Sequence, residues 1–245
     1  MIYLTTDIHG KTDSLKRLLE AANFGDEDFL FILGDVIDRN GDGGVSLLIW
    51  LLTQPNVQLI LGNHEYTFLL GNKWLFDEIN DSNIDEFNYY KLSNLYNWQH
   101  NGGDVTIEAM RKISAETRAD IITYLEECPL HETITVNDRR YILTHSGLGC
   151  FGKDKPLDDY IPHDLLWSRP MQNTVYNPEE YTVIIGHTPT LCYGSEFRNR
   201  IMKTESFWNI DTGAATKDGQ PMLLCLDTLR EYYIEPNGEI ITIDP

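Results

Sequence analysis

The hydrophobic pattern at the start of the chain repeats one unit three times. In each unit a short apolar run is followed by a polar turn that carries Asp, His or Asn, and stretches with helical spacing separate the runs. This order is typical of consecutive βαβ units with parallel strands, and so of an α/β fold. The three runs cover 2–5, 29–33 and 57–61, and Asp7, Asp35 and Asn63 follow them at intervals of 28 residues.

The remainder of the pattern mixes helical and strand-like segments, and no linker divides it. Helical spacing predicts helices over 12–22 and 45–52 and, in pieces, a helical insertion over about 66–127 that contains an acidic, Asn-rich stretch from 77 to 88. Strand-like runs at 132–136, 140–144 and 181–185, and a closing antiparallel meander from 207 onward, complete the predicted elements. We therefore expect one domain over residues 1–245.

Composition is that of an ordinary globular protein with a strongly acidic character. The 245 residues include 38 Asp and Glu against 19 Lys and Arg, so the formal net charge is -19. The resulting field repels nucleic acids and anionic lipids, and neither is expected as a partner. The longest apolar run, 45–52, is shorter than the ~20 residues of a membrane-spanning helix. Four widely spaced cysteines predict buried thiols in a cytoplasmic protein.

Five predicted strands end in side chains that can bind a divalent metal ion. In open α/β sheets the carboxyl ends of the strands border a shared crevice, so we expect these side chains to converge. Imidazole, carboxylate and amide oxygen together suit Mn, Fe or Zn, and they are too many for one ion, which favours two ions sharing a carboxylate. The candidate ligands are Asp7, His9, Asp35, Asn63, His145 and His187.

The stretches that carry these residues resemble the motifs of the phosphoprotein phosphatases, the PPP family of metallophosphoesterases, and within it the bacterial and phage branch. In order, they are Thr6-Asp7-Ile8-His9-Gly10, Gly34-Asp35-Val36-Ile37-Asp38-Arg39, Gly62-Asn63-His64-Glu65, Thr144-His145-Ser146-Gly147 and Gly186-His187-Thr188-Pro189. Leu166-Trp167-Ser168-Arg169 and Asn209-Ile210-Asp211-Thr212-Gly213 add two family-like pieces. The resemblance implies a four-layer αββα sandwich, in which two mixed β-sheets are flanked by helices.

The resemblance also implies a role for each candidate residue. Asp7, His9 and Asp35 would hold one ion, and Asp35, Asn63, His145 and His187 a second, both of them Mn2+ in this branch. Arg39 and Arg169 would grip the phosphate, His64 would protonate the leaving group, and Asp38 would orient His64. A hydroxide that bridges the two ions would attack phosphorus in line. Glu65 is interpreted as a favourable charge in a first helical turn, and Asp211 as a turn residue or a residue that supports a ligand from behind.

Three functions stay open at this point. The first is a serine/threonine protein phosphatase that acts on phosphorylated proteins or on small phosphoesters. The alternative is a symmetrical dinucleoside tetraphosphate hydrolase, although that branch typically lacks the carboxylate at Asp38 and has Asp where Glu65 stands. The third is an inactive module that binds phosphorylated partners. The oligomeric state is left open.

Three residues depart from the family pattern without removing a candidate ligand. Thr6 and Asn40 stand where the family usually has Gly, and Ser146 stands where it has Gly or Ala. Asn tolerates a left-handed backbone, so we expect the turn at Asn40 to persist. The hydroxyls of Thr6 and Ser146 leave the size of the substrate pocket open.

Overall fold

Two β-sheets packed face to face form the centre of the protein in a computed structural model, which describes residues 1–76 and 89–245. The acidic stretch predicted over 77–88 lies outside the described residues. The first sheet has the strand order β11-β10-β9-β1-β2-β3, and the second has the order β4-β5-β6-β8-β7. Both sheets mix parallel and antiparallel pairs.

The first sheet is built from the two ends of the chain. Strands β1 (Ile2–Thr5), β2 (Phe29–Ile32) and β3 (Val57–Leu59) are parallel neighbours, as the βαβ pattern predicts. Strands β9 (Met222–Cys225), β10 (Arg230–Ile234) and β11 (Ile240–Ile243) form an antiparallel meander, and β9 pairs antiparallel with β1.

The second sheet contains the middle strands of the chain. They are β4 (His131–Val136), β5 (Arg139–Thr144), β6 (Thr182–Ile185), β7 (Met202–Lys203) and β8 (Phe207–Asn209). The prediction that the meander starts at 207 was wrong, because β8 lies parallel to β6 in this sheet and the meander starts at β9. Alternation along a strand indicates which side chains share a face, and it carries no information about which sheet the strand joins.

Seven α-helices accompany the sheets in the described residues. They are α1 (Thr12–Ala21), α2 (Val45–Leu51), α3 (Asn63–Phe76), α4 (Tyr89–Trp98), α5 (Asp104–Met110), α6 (Ala115–Glu127) and α7 (Pro162–Leu166). A π-helical turn, Gln99–Gly103, joins α4 to α5. Because α3 begins at Asn63, three residues earlier than predicted, the Asn-His-Glu run lies in the first turn of a helix.

Alternating side chains divide the hydrophobic core into layers. In β2, Leu30 and Ile32 pack with the helices of the first sheet, whereas Phe31 faces the second sheet. In β6, Ile184 lies between the sheets and Val183 packs outward against the layer that contains α7. The predicted α/β architecture of two mixed sheets flanked by helices is therefore confirmed, while the single domain over 1–245 stays a prediction.

Two expectations from composition have different outcomes. No helix among the described residues combines the length and the apolar character needed to cross a membrane. The cysteines are not uniformly buried, because Cys150 and Cys192 are exposed, Cys128 is half-buried and only Cys225 of the four is buried.

Candidate metal centre

The loops that follow β1 and β2 meet through their backbones. The N–H of Asp7 donates to the carbonyl of Gly34 at 3.0 Å, and the N–H of His9 donates to the carbonyl of Asp35 at 2.9 Å. Six of the twelve non-glycine residues with positive φ in the described chain are candidate site residues. They are Asp7, His9, Asp35, Asp38, Arg39 and His187. Strained backbone of this kind persists where the surroundings enforce it, and it is concentrated at functional sites.

Two glycines allow the side chains to come close together. A Cβ atom at Gly62 would lie 2.3 Å from both the N and the Oδ1 of Asp35, and one at Gly186 would lie 2.2 Å from Asp7 Oδ2. Any other residue at these positions would displace a candidate ligand. The glycines that precede Asn63 and His187 are thus required by packing.

His9 and Asp35 form the first group of candidate ligands. His9 Nδ1 lies 2.8 Å from the carbonyl oxygen of Ile37, which fixes the proton on Nδ1 and leaves the Nε2 lone pair free. That Nε2 is 3.6 Å from Asp35 Oδ2 and 3.9 Å from Asp7 Oδ1. His64 also presents an atom to this group, since the donor atoms of His9, Asp35 and His64 all lie within 4.8 Å of one another.

A second group lies on the other side of Asp35. His145 Nδ1 is 2.7 Å from the carbonyl oxygen of Leu33, and its Nε2 faces Asn63 Oδ1 at 2.9 Å and Asp35 Oδ1 at 3.5 Å. Atoms of Asp35, His145 and His187 lie within 4.8 Å of one another. The Nε2 of His187 is buried and has no hydrogen-bond partner within residues 1–76 and 89–245.

The chemistry of these side chains fits divalent cations. His145 Nε2 faces the Oδ1 atoms of Asn63 and Asp35, and nitrogen and oxygen atoms that converge in this way suit a divalent cation. Burial lowers the pKa of His187 to about 2 and keeps that of His9 well below its ordinary value, so both imidazoles are neutral. Burial and the charge of Asp7 raise the pKa of Asp35, and a bound cation favours its ionised form.

His64 and Asp38 form a buried pair beside the candidate ligands. His64 Nδ1 lies 2.5 Å from Asp38 Oδ2, and the backbone N–H of His64 donates to Asp35 Oδ1 at 3.1 Å. Trp98 Nε1 and the hydroxyl of Thr106 each donate to the Asp38 carboxylate at 2.6 Å. Burial raises the pKa of Asp38 to about 7, and these two donors act against that rise.

The structure brings one predicted arginine to the pair and places the other near His187. Arg39 Nη2 is 3.2 Å from His64 Nε2, and the guanidinium also donates to the side-chain and backbone oxygens of Asn101 at 3.4 Å. Arg169 is exposed and donates to the hydroxyl of Thr188 at 2.7 Å. Both guanidinium groups are thus near the candidate ligands.

Glu65 is buried, and its role goes beyond that of a favourable charge in the first turn of α3. Its Oε1 accepts the N–H groups of Val36 and Ile37, and its Oε2 accepts those of Asp35 and Gly62, at 2.9–3.1 Å. Burial raises the pKa of Glu65, and these amides act against the rise. Sequence reasoning missed this role because three of the four partners lie 28 to 30 residues away in the chain. The available signal was an acidic residue in a turn between apolar segments.

Each of the three residues that depart from the family pattern makes a specific hydrogen bond, and the hydroxyl of Ser146 accepts the backbone N–H of Ser168 at 2.9 Å. Asn40 does not adopt the left-handed backbone that it tolerates, because the left-handed residues of the turn are Asp38 and Arg39, with φ of 76° and 70°. Asn40 instead donates a side-chain hydrogen bond to the carbonyl of His9 at 2.9 Å. The hydroxyl of Thr6 donates to the carboxylate of Asp7 at 2.6 Å.

The side chain of Asp211 is buried and accepts the backbone N–H of Gly213, two residues later, as in a turn.

A sequence profile of the calcineurin-like phosphoesterases matches residues 1–207. The chain belongs to this family. Two relatives from Buchnera aphidicola are named symmetrical bis(5'-nucleosyl)-tetraphosphatase. The one from Buchnera aphidicola subsp. Acyrthosiphon pisum (strain Tuc7) is 30% identical over 113 residues, or 45% of this chain and 41% of the relative. The one from Buchnera aphidicola subsp. Schizaphis graminum (strain Sg) is 31% identical over 114 residues, or 46% of this chain and 42% of the relative. The chain therefore matches about two fifths of the length of these relatives.

Solved structures agree with this phosphoesterase in fold. A protein provisionally described as a diadenosine tetraphosphatase has a TM-score of 0.56 at 20% identity, covering 99% of this chain and 92% of its own. A serine/threonine phosphatase from Saccharomyces cerevisiae has a TM-score of 0.57 at 16% identity, covering 100% of this chain and 79% of its own. At these identities the similarity concerns the fold alone, and membership of the bacterial and phage branch stays a prediction.

Replacing His187 with Ala is expected to weaken Mn2+ binding by about tenfold or more, because the substitution removes a neutral imidazole whose Nε2 is otherwise unpaired. Isothermal titration of the metal-free phosphoesterase measures the affinity. His131→Ala is the matched control, since that imidazole lies beside the exposed Asp158. Equal affinities of His187→Ala and wild type would exclude His187 as a ligand.

The Glu65→Gln substitution is expected to lower the free energy of unfolding by about 3 kcal/mol, since a carboxamide NH2 replaces an oxygen that accepts backbone N–H groups. Urea unfolding with a chelator present measures this effect without a contribution from metal. Glu126→Gln, on the exposed side of α6, is the control for the same chemical change and is expected to have little effect. A loss no greater than that of the control would contradict the role of Glu65.

Proposed function

We propose that this chain is a metal-dependent phosphoester hydrolase with two divalent ions at the candidate metal centre. Asp7, His9 and Asp35 hold one ion in this proposal, and Asp35 with Asn63, His145 and His187 holds the other. The single observation that carries the proposal is the placement of Asp35 between two groups of buried imidazoles. Two such ions supply Lewis acidity and lower the pKa of bound water, with Mn2+ as the first metal to test.

Side chains of the protein itself supply the other elements of phosphoryl transfer. Arg39 and Arg169 place positive charge beside the centre, where they bind the oxygens of a phosphoryl group. His64 donates a proton to the departing oxygen, and Asp38 orients the imidazole through Nδ1. The presence of all these side chains in one site favours catalysis over the inactive binding module that the sequence left open.

The names of the curated relatives point to symmetrical dinucleoside tetraphosphates as substrates. The relatives at about 30% identity carry this activity in their names, and a small dinucleotide is therefore the first candidate substrate for this chain. Hydrolysis of such a molecule in the middle of its phosphate chain expels a nucleoside diphosphate. Preference for a phosphoprotein, the first function expected from the sequence, becomes the second candidate.

A specific contact keeps phosphoserine and phosphothreonine as the second candidate. The 2.5 Å contact between Asp38 and His64 prepares an imidazole for proton donation. An alkoxide leaving group, as in phosphoserine, gains much from protonation, whereas a nucleoside diphosphate is stable as an anion and gains little. The site thus contains a proton donor suited to the alkoxide, which is the more difficult leaving group.

Direct comparison of the two substrates separates the candidates. With Mn2+ present, we expect diadenosine tetraphosphate to be hydrolysed to two molecules of ADP, and kcat/KM for this substrate to exceed that for a phosphoserine peptide. Chromatography of nucleotides and release of inorganic phosphate measure the two reactions. A higher kcat/KM for the peptide would assign the chain to the protein phosphatases. If both activities persisted in the presence of a chelator, the proposed metal dependence would be contradicted.

The His64→Asn substitution tests the proton donor. It is expected to lower kcat for a phosphoserine peptide by about a hundredfold or more, because the alkoxide then departs without a proton. For 4-nitrophenyl phosphate, whose leaving group needs little protonation, the loss is expected to be smaller. Steady-state kinetics with metal content measured in parallel provide the readout, and equal losses on both substrates would contradict proton donation by His64.

A further inference from the structure

We propose that Trp98 and Thr106, which both belong to the helical insertion, are positioning residues that hold Asp38 against His64. The inference rests on the proposed function, in which His64 donates a proton to the leaving group. It assigns to the insertion a part of the active site, whereas sequence analysis gave the insertion no catalytic contribution.

Asp38 is the centre of a buried hydrogen-bond network. Its Oδ2 accepts from Trp98 Nε1 at 2.6 Å and lies 2.5 Å from His64 Nδ1, while its Oδ1 accepts from Thr106 Oγ1 at 2.6 Å. The four residues are between 0% and 4% exposed, so water does not compete for these contacts. Hydrogen bonds to a charged acceptor in such surroundings are short and directional.

Thr106 contacts both the side chain and the backbone of Asp38. Besides donating to the carboxylate, its hydroxyl oxygen accepts the backbone N–H of Asp38 at 3.1 Å. This N–H also points at the carbonyl of Gly43, and Asp38 has a left-handed φ of 76°. A residue with this backbone geometry persists only where its surroundings impose it. The insertion therefore sets the direction in which the carboxylate faces.

The turn between Trp98 and Thr106 also holds the phosphate-binding arginine. The N–H of Arg39 donates to the carbonyl of Gly102 at 3.0 Å, and its guanidinium donates to Asn101. A Cβ at Gly102 would lie 2.6 Å from Arg39 Cγ, and one at Gly103 would lie 2.6 Å from the Trp98 ring. The glycine pair is thus required for close contact on both sides of the turn.

Loss of these donors is expected to reduce the reaction of difficult leaving groups selectively. When Asp38 can rotate away, His64 Nδ1 loses its partner and the imidazole its orientation, while the candidate metal ligands stay in place. Reaction of an alkyl phosphate depends on the proton donor, whereas that of an aryl phosphate depends on it little. The ratio of the two kcat values therefore reports on positioning, and general damage to the fold lowers both values together.

The test compares Trp98→Phe and Thr106→Val with wild type, in Mn2+, on a phosphoserine peptide and on 4-nitrophenyl phosphate. We expect each variant to lower kcat on the peptide by about tenfold with KM unchanged, and to lower kcat on the aryl ester by less than about threefold. Thr106→Ser keeps the hydroxyl and is expected to restore the peptide activity. Trp50→Phe, the same chemical change in the partly buried α2, is expected to leave the ratio unchanged.

A second readout is independent of turnover. In the Zn2+-loaded protein, the Nδ1 proton of His64 is expected to give a downfield NMR resonance that is missing in His64→Asn. Trp98→Phe and Thr106→Val are expected to move this resonance upfield, and Thr106→Ser and Trp50→Phe to keep it. If the resonance responds in this way while wild type hydrolyses no phosphoester, the proposed function fails and the positioning network stands. An unchanged resonance in both variants, or parallel losses on both substrates, would overturn the inference.

Discussion

A buried carboxylate, that of Glu65, holds together the two loops on which the candidate site depends. It gathers the N–H groups of residues 35–37 at the end of β2 and that of Gly62 at the start of α3. Burying a charged carboxylate is costly unless hydrogen bonds compensate, and four backbone amides provide that compensation. Asp35 and Asp38 on one loop, and Asn63 and His64 on the other, thereby acquire fixed relative positions without any contact between Glu65 and a substrate.

The electrostatics of the candidate ligands fit the binding of positive ions. Burial raises the pKa of Asp7, Asp35 and Asp211, and for Asp35 and Asp211 the neighbouring Asp7 raises it further. Burial lowers the pKa of the imidazoles of His9 and His187. Divalent cations favour the ionised form of the acids and coordinate the neutral form of the imidazoles. Their binding would therefore suit both kinds of side chain. Such cations would add positive charge at the place where a phosphate substrate approaches a chain with a formal net charge of -19.

Sequence reasoning predicted the part of the site that depends on strand ends. Asp7, Asp35 and Asn63 follow parallel strands at equal spacing, so their convergence follows from the fold class. Trp98 and Thr106 were missed because their partner Asp38 lies 60 and 68 residues away, and Glu65 because three of its four partners lie 28 to 30 residues away. Hydrogen-bond partners at such separations leave no periodic signal. The sheet assignment of β8 failed for a related reason, since a short apolar run fits either sheet.

Two different parts of the chain serve the two sides of phosphoryl transfer in the proposed function. The ends of strands from both sheets hold the candidate ligands, on the side where water attacks in this proposal. A metal centre on that side suits any phosphoester. The leaving group departs towards His64, whose support comes through Asp38 from the helical insertion. Substrate choice in this arrangement depends on the insertion more than on the ligands.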